Sequence, residues 1–131
     1  MNANNKKLNG QGVSIWLDNV TRKMLDNGVL KNYIDYLSVT GLTSNPSIFE
    51  AAIAKTDDYD AAISKLNKSG VSDEEVFFSL AIEDIQRAAD EFRPVFEKTN
   101  GLDGTRTFIE NPLYQRPVRG SFFGRTARLT F

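Results

Sequence analysis

The stretch GLTSNPSIF, residues 41–49, decides how the rest of the chain is read. It begins inside a short β-prone run, VTGLT at 39–43, and reaches Pro46 within three residues. Proline has no amide hydrogen and a fixed φ, so it favours the first position of a helix, and an asparagine before it is a favoured N-cap. Asn45–Pro46 therefore predicts a helix from Pro46 to about Ala54. A strand followed at once by a helix places Thr43, Ser44 and Asn45 at the strand's C-terminal end. Two explanations fit that placement. The three polar groups cap the helix, or they face a ligand, because ligands meet the C-terminal ends of strands in parallel βα architectures. One amide and two hydroxyls could hold the hydroxyls of a sugar. A cap residue can also face a ligand, and spacing leaves both readings open.

Working outward, VSIWL at 13–17 is a second short apolar run, read as a buried strand, with Asp18 and Asn19 at its end. Asp18 is either a carboxylate placed to shuttle protons or a cap for the helix that starts near Thr21. Residues 21–27 read as helix, with Gly28 as its stop. Apolar residues at 30, 33, 34 and 37 mark a helical face. Residues 58–68 read as another helix. Ser72 with Glu75 three places on is a capping box that opens the longest helix, about 73–97. Its apolar stripe is read as Phe78, Ile82, Ile85, Ala89, Phe92 and Phe96, packed against a sheet or barrel, with Pro94 near its end. NGLDG, 100–104, is a turn, and TRTFIE, 105–110, is a third candidate strand. Strands alternating with helices predict an α/β fold with a parallel sheet. Residues 1–12, polar and without a hydrophobic signal core, read as a flexible lead-in.

Composition narrows the chemistry. At 131 residues the chain has room for one domain with a core. A net charge of −1 gives no overall attraction to nucleic acid, and no apolar run approaches a membrane span of about 20 residues. The absence of histidine excludes imidazole-based triads and zinc sites, and the absence of cysteine excludes thiolate chemistry. Together these suggest a cytoplasmic protein whose chemistry runs on carboxylates, hydroxyls and amines. Asp57, Asp58 and Asp60 lack the spacing of a calcium loop. Residues 105–131 stand apart, with five arginines and no lysine against a single acid, Glu110. This Arg-rich tail does not continue the pattern of residues 13–104.

SIWLDN at 14–19, VTGLTSNPSIFEAAI at 39–53 and AIEDIQRAADEFRPVFEKTNGLDG at 81–104, at these spacings, resemble the N-terminal part of transaldolase. The longer bacterial type with helical insertions is the nearest, and the resemblance covers roughly residues 13–104. It implies a (β/α)8 TIM barrel, of which this chain would be an incomplete, N-terminal portion. It implies transfer of a dihydroxyacetone unit between sugar phosphates through a lysine Schiff base, with no cofactor or metal. No nucleic-acid or membrane partner is implied. By the same resemblance, Asp18 is the catalytic acid–base carboxylate of the first strand. Asn45 binds the substrate's hydroxyls, with Thr43 and Ser44 as walls of that substrate-binding site.

After NGLDG the family carries a strand like Ser-Leu-Glu-Val-Ser-Pro, whose glutamate is the second catalytic carboxylate. Here the chain reads TRTFIENP, and Glu110 is the candidate for that role. Lys98 is the last lysine, so the family's Schiff-base lysine has no counterpart. The expectation is a truncated or frameshifted transaldolase, inactive alone. The other reading is a non-catalytic, transaldolase-derived interaction module acting through its helices and basic tail.

Overall fold

The computed structural model describes residues 3–44 and 46–104. Within them lie two short strands and six helices. Helix α1 spans Ala3–Gly10, strand β1 Trp16–Asp18, helix α2 Arg22–Asp26, helix α3 Val29–Leu37 and strand β2 Gly41–Thr43. Helices α4 (Pro46–Lys55), α5 (Asp60–Asn67) and α6 (Asp73–Lys98) follow. The strands pair in parallel, with Trp16 opposite Gly41, Leu17 opposite Leu42 and Asp18 opposite Thr43. One further bond, from the Thr40 amide to the Ile15 carbonyl at 2.8 Å, extends the pairing at the N-terminal end. Both strands are shorter than the apolar runs that announced them. Val13, at the start of the first run, is 46% exposed and stands outside the sheet.

Side chains alternate across a strand. Leu17 and Leu42 therefore share one face, and both pack into the main core. Trp16, Asp18, Gly41 and Thr43 share the other. The Trp16 ring lies so close over Gly41 that a Cβ there would sit 2.8 Å from it. A side chain at 41 would have to displace the Trp16 ring, so contact and not backbone angle favours glycine there.

The Ser72–Glu75 box and the Gly28 stop act as the sequence predicts, whereas α2 is capped by Thr21, read from the sequence as the first residue of that helix. The Thr21 hydroxyl accepts from the Met24 amide and starts α2. Gly28, at φ +68°, turns the chain from α2 into α3 in a region that favours glycine. At α6, the Ser72 hydroxyl accepts from the Glu75 amide while the Glu75 carboxylate accepts from the Ser72 amide. The apolar stripe of α6 is a correction. Its buried residues are Val76, Leu80, Ala81, Asp84, Ala88 and Phe92, so the buried ridge steps by four and includes an acid. Val76 and Leu80 of α6 join Ala52 and Tyr59 in one cluster. Ala81, Ala88 and Phe92 join Val20, Leu25, Leu30, Val39, Leu42 and Phe49 in the other.

The lead-in is also corrected, because residues 3–10 are helical. No residue of α1 is buried, so apolar packing does not explain it. Two asparagines one turn apart do. Asn5 Nδ2 donates to the Leu37 carbonyl at 2.7 Å and Asn9 Nδ2 to the Ser38 carbonyl at 2.8 Å. These are carbonyls at the C-terminal end of α3, which its own helix leaves without partners.

After α6 the chain turns through Gly101 and returns to the sheet. The Gly104 amide donates to the Thr40 carbonyl at 2.8 Å, and Ser14 Oγ bonds the Asp103 carboxylate at 2.8 Å. The candidate third strand at 105–110, and the tail after it, lie outside the described residues.

Candidate active site

The parallel register brings Asp18 and Thr43 side by side at the C-terminal ends of β1 and β2. Thr43 Oγ1 donates to Asp18 Oδ1 at 2.7 Å. The Thr43 hydroxyl is therefore committed to the carboxylate. Asp18 is exposed and Thr43 half-buried. Among the described residues, no hydrogen bond engages the second carboxylate oxygen. Asp18 does not cap α2, since the Thr21 hydroxyl holds that position. The alternative reading of Asp18 as a helix cap is thereby removed.

Ser44 sits differently from its neighbour. It is 6% exposed, and its Oγ is buried with no hydrogen-bond partner among the described residues. The structure thus brings Asp18 and Thr43 together and covers Ser44. Asn45 and Glu110, the other two candidates, lie outside the described residues. Among the described residues no cluster of three or more acidic side chains is arranged to hold a metal, Asp57, Asp58 and Asp60 included. No helix among them is long and apolar enough to cross a membrane.

Sequence reasoning missed a buried polar ring that begins four residues after Asp18, at Arg22. Arg22 is 7% exposed, Tyr59 1% and Asp84 0%. The Arg22 amide donates to the Tyr59 oxygen at 3.1 Å, and the Tyr59 hydroxyl donates to Asp84 Oδ2 at 2.7 Å. Arg22 Nε donates to Asp84 Oδ1 at 2.9 Å, which closes the ring. The guanidinium also reaches Glu83 at 3.0 Å and lies 4.7 Å from the centre of the Tyr59 ring. Burial disfavours the charge on Arg22, but Asp84 and Glu83 outweigh it and hold the guanidinium's pKa above its ordinary value. Burial, and then the bond to Asp84, push the Tyr59 phenol up, so it stays a donor. Burial pushes the Asp84 carboxyl up as well, against the pull of Tyr59 and Arg22. The sequence carried one usable signal, an arginine directly after a helix N-cap. Its partner stands 62 residues away, too far for any local pattern to connect them.

Known proteins resemble this chain along most of its length. The sequence model of the Transaldolase/Fructose-6-phosphate aldolase family matches residues 15–110. That match runs through Asp18, Thr43 and Glu110, and it ends six residues beyond the expected break at 104. Transaldolase 2 of Streptomyces coelicolor is 44% identical over 105 residues, covering 80% of this chain and 28% of that protein. The transaldolase of Arthrobacter sp. is 43% identical over 110 residues, 84% of this chain and 29% of its own. That of Trichodesmium erythraeum is 47% identical over 93 residues, 71% and 24% of the two chains. This chain thus spans less than a third of the curated relatives it matches. The family implies a TIM-barrel type of α/β fold, and two parallel strands with their packed helices agree with part of one. By the extent of the family match, and by identities of 40% and more to several transaldolases, the chain belongs to the transaldolase/fructose-6-phosphate aldolase family.

Proposed function

We propose that this chain carries the first-strand side of a transaldolase active site, in which Asp18 is the acid–base carboxylate. The observation that carries the reading is the Asp18–Thr43 pair at the C-terminal ends of two parallel strands. A carboxylate with one oxygen fixed by a hydrogen bond can take and return a proton at a defined point. The reaction is transfer of a dihydroxyacetone unit from sedoheptulose 7-phosphate to glyceraldehyde 3-phosphate in cytoplasmic sugar-phosphate metabolism. It proceeds through an imine between a lysine amine and the ketose carbonyl, which draws electrons from the breaking carbon–carbon bond.

In this reading Thr43 orients Asp18 rather than touching substrate, and Asn45 binds the substrate's hydroxyls. Ser44 backs that edge from its covered position. Glu110 is the second carboxylate, supported by the family match reaching that residue. The amine is not among these 131 residues, since no lysine follows Lys98. The chain alone is then inactive. Borohydride reduction in the presence of sedoheptulose 7-phosphate, read by mass spectrometry, tests that last point. The expected spectrum has no mass increase on the chain. A stoichiometric adduct on one lysine, with turnover like that of a complete transaldolase, would overturn it.

A further inference from the structure

We infer that the buried ring of Arg22, Tyr59 and Asp84 is a positioning device that sets where Asp18 stands. The inference rests on the proposed role of Asp18 for its functional meaning, but its structural content stands apart. Only Asn19, Val20 and Thr21 separate Asp18 from Arg22. Val20 is 1% exposed, so this link is pinned in the main core at its midpoint. Thr21 is fixed as the cap of α2. Arg22 is fixed twice, by its backbone amide on the Tyr59 oxygen and by its side chain on Asp84. The amide bond matters most here. The first amides of a helix have no partner within it, and this one is given a directional partner from a different part of the chain. Tyr59 precedes α5 and Asp84 lies in α6, so the ring ties the exit of β1 to two other helices.

A buried ion pair recovers little beyond its desolvation cost, and apolar side chains of similar volume would pack about as stably. Apolar side chains would not fix direction. Hydrogen bonds at 2.7, 2.9 and 3.1 Å do, and they fix the segment on which the Asp18–Thr43 bond depends. Arg22, Tyr59 and Asp84 are in this view positioning residues, buried away from any substrate.

The test is NMR of the whole 131-residue chain, isotopically labelled, at neutral pH. The readout is the carboxyl carbon resonance of Asp18. Thr43→Val provides the reference shift for a broken Asp18–Thr43 bond. Tyr59→Phe keeps the ring and its contact with Arg22 but removes the donor to Asp84 and the acceptor for the Arg22 amide. It is expected to move the Asp18 resonance in the same direction as Thr43→Val, by about half as much or more. Arg22→Lys, which keeps a positive charge beside Asp84, is expected to move it too and serves if Tyr59→Phe does not fold. Ser72→Ala, which weakens the distant start of α6, is expected to lower the melting temperature and leave Asp18 unmoved. If Tyr59→Phe and Arg22→Lys lower the melting temperature with Asp18 unmoved, the ring is only structural and the inference fails. It fails equally if Ser72→Ala moves Asp18 as far, or if Thr43→Val does not move it. None of these readouts needs turnover, so an inactive Asp18 would show itself separately, in an activity assay.

Discussion

Replacing Gly104 by alanine tests how the chain rejoins the sheet after α6. Gly104 has φ +83°, and a Cβ there would lie 2.5 Å from the Phe96 amide nitrogen and 2.8 Å from the Phe92 carbonyl oxygen. Both are backbone atoms that no rotamer change can move. The left-handed angle costs an alanine about 1 kcal/mol. Relief of the clash must pull the residue off the Thr40 carbonyl, which forfeits a hydrogen bond of about 1 kcal/mol. It must also loosen the last turns of α6, where Phe92 is 3% exposed. Removing such a ring altogether costs about 3–5 kcal/mol, so partial loosening adds about 1–2. The expected loss is about 3–4 kcal/mol, a large part of a typical domain's stability. Gly70→Ala is the internal reference. Gly70 has φ +71° with open space around it, so only the angle is charged, about 1 kcal/mol. Both substitutions stiffen the unfolded chain alike, and that effect cancels in the difference. Urea unfolding followed by circular dichroism measures both. If Gly104→Ala loses no more than Gly70→Ala, the close approach of Gly104 to α6 is wrong.

Three further outcomes are expected. In a double-mutant cycle by urea unfolding, Thr43→Val and Asp18→Ala couple by about 1 kcal/mol, low for a bond to a charged group because the pair is solvent-accessible; additive losses would mean that the bond does not form in solution. Burial raises the Tyr59 phenol above its unfolded value of about 10, so its contribution is complete below that value and is lost as pH rises through the folded one. The urea midpoint therefore falls above about pH 10 in the wild type, and Tyr59→Phe lacks that part of the fall. The Glu75 carboxyl is held below its ordinary value by the Ser72 amide and hydroxyl, so its contribution is present above the unfolded value and lost as pH falls through the folded one. Cα chemical shifts of residues 73–76 should lose helical character over that acid range, and at higher pH in Ser72→Ala, which also costs about 1 kcal/mol as a lost cap.

Local chemistry was legible in the sequence wherever a signal and its partner stood within a turn of each other. Ser72 with Glu75, and Gly28 between α2 and α3, are both of that kind. So is the succession of strand and helix that set Asp18 and Thr43 at strand ends. Their contact needed the register, which no single strand specifies. Helix α1 was illegible because asparagines in a polar stretch suggest a loop, and its support comes from α3 carbonyls about thirty residues on. Asp84 was illegible for the opposite reason. An acid within a long helix is ordinarily a solvent-facing residue, and only Arg22 and Tyr59 together make its burial tolerable. The α6 stripe went astray at this point, because hydrophobicity alone passes over an acid on the buried ridge.

If residues 15–110 supply a working Asp18 edge to a transaldolase site, they should do so inside a complete enzyme, and a chimera provides one. The matching segment of Streptomyces coelicolor Transaldolase 2 is replaced by these residues, and turnover of sedoheptulose 7-phosphate with glyceraldehyde 3-phosphate is measured with and without Asp18→Asn. The chimera is expected to be active, with a kcat that falls by about 10²–10⁴ on Asp18→Asn, the range for loss of a general acid–base group. A folded chimera with the same kcat in both forms would contradict it.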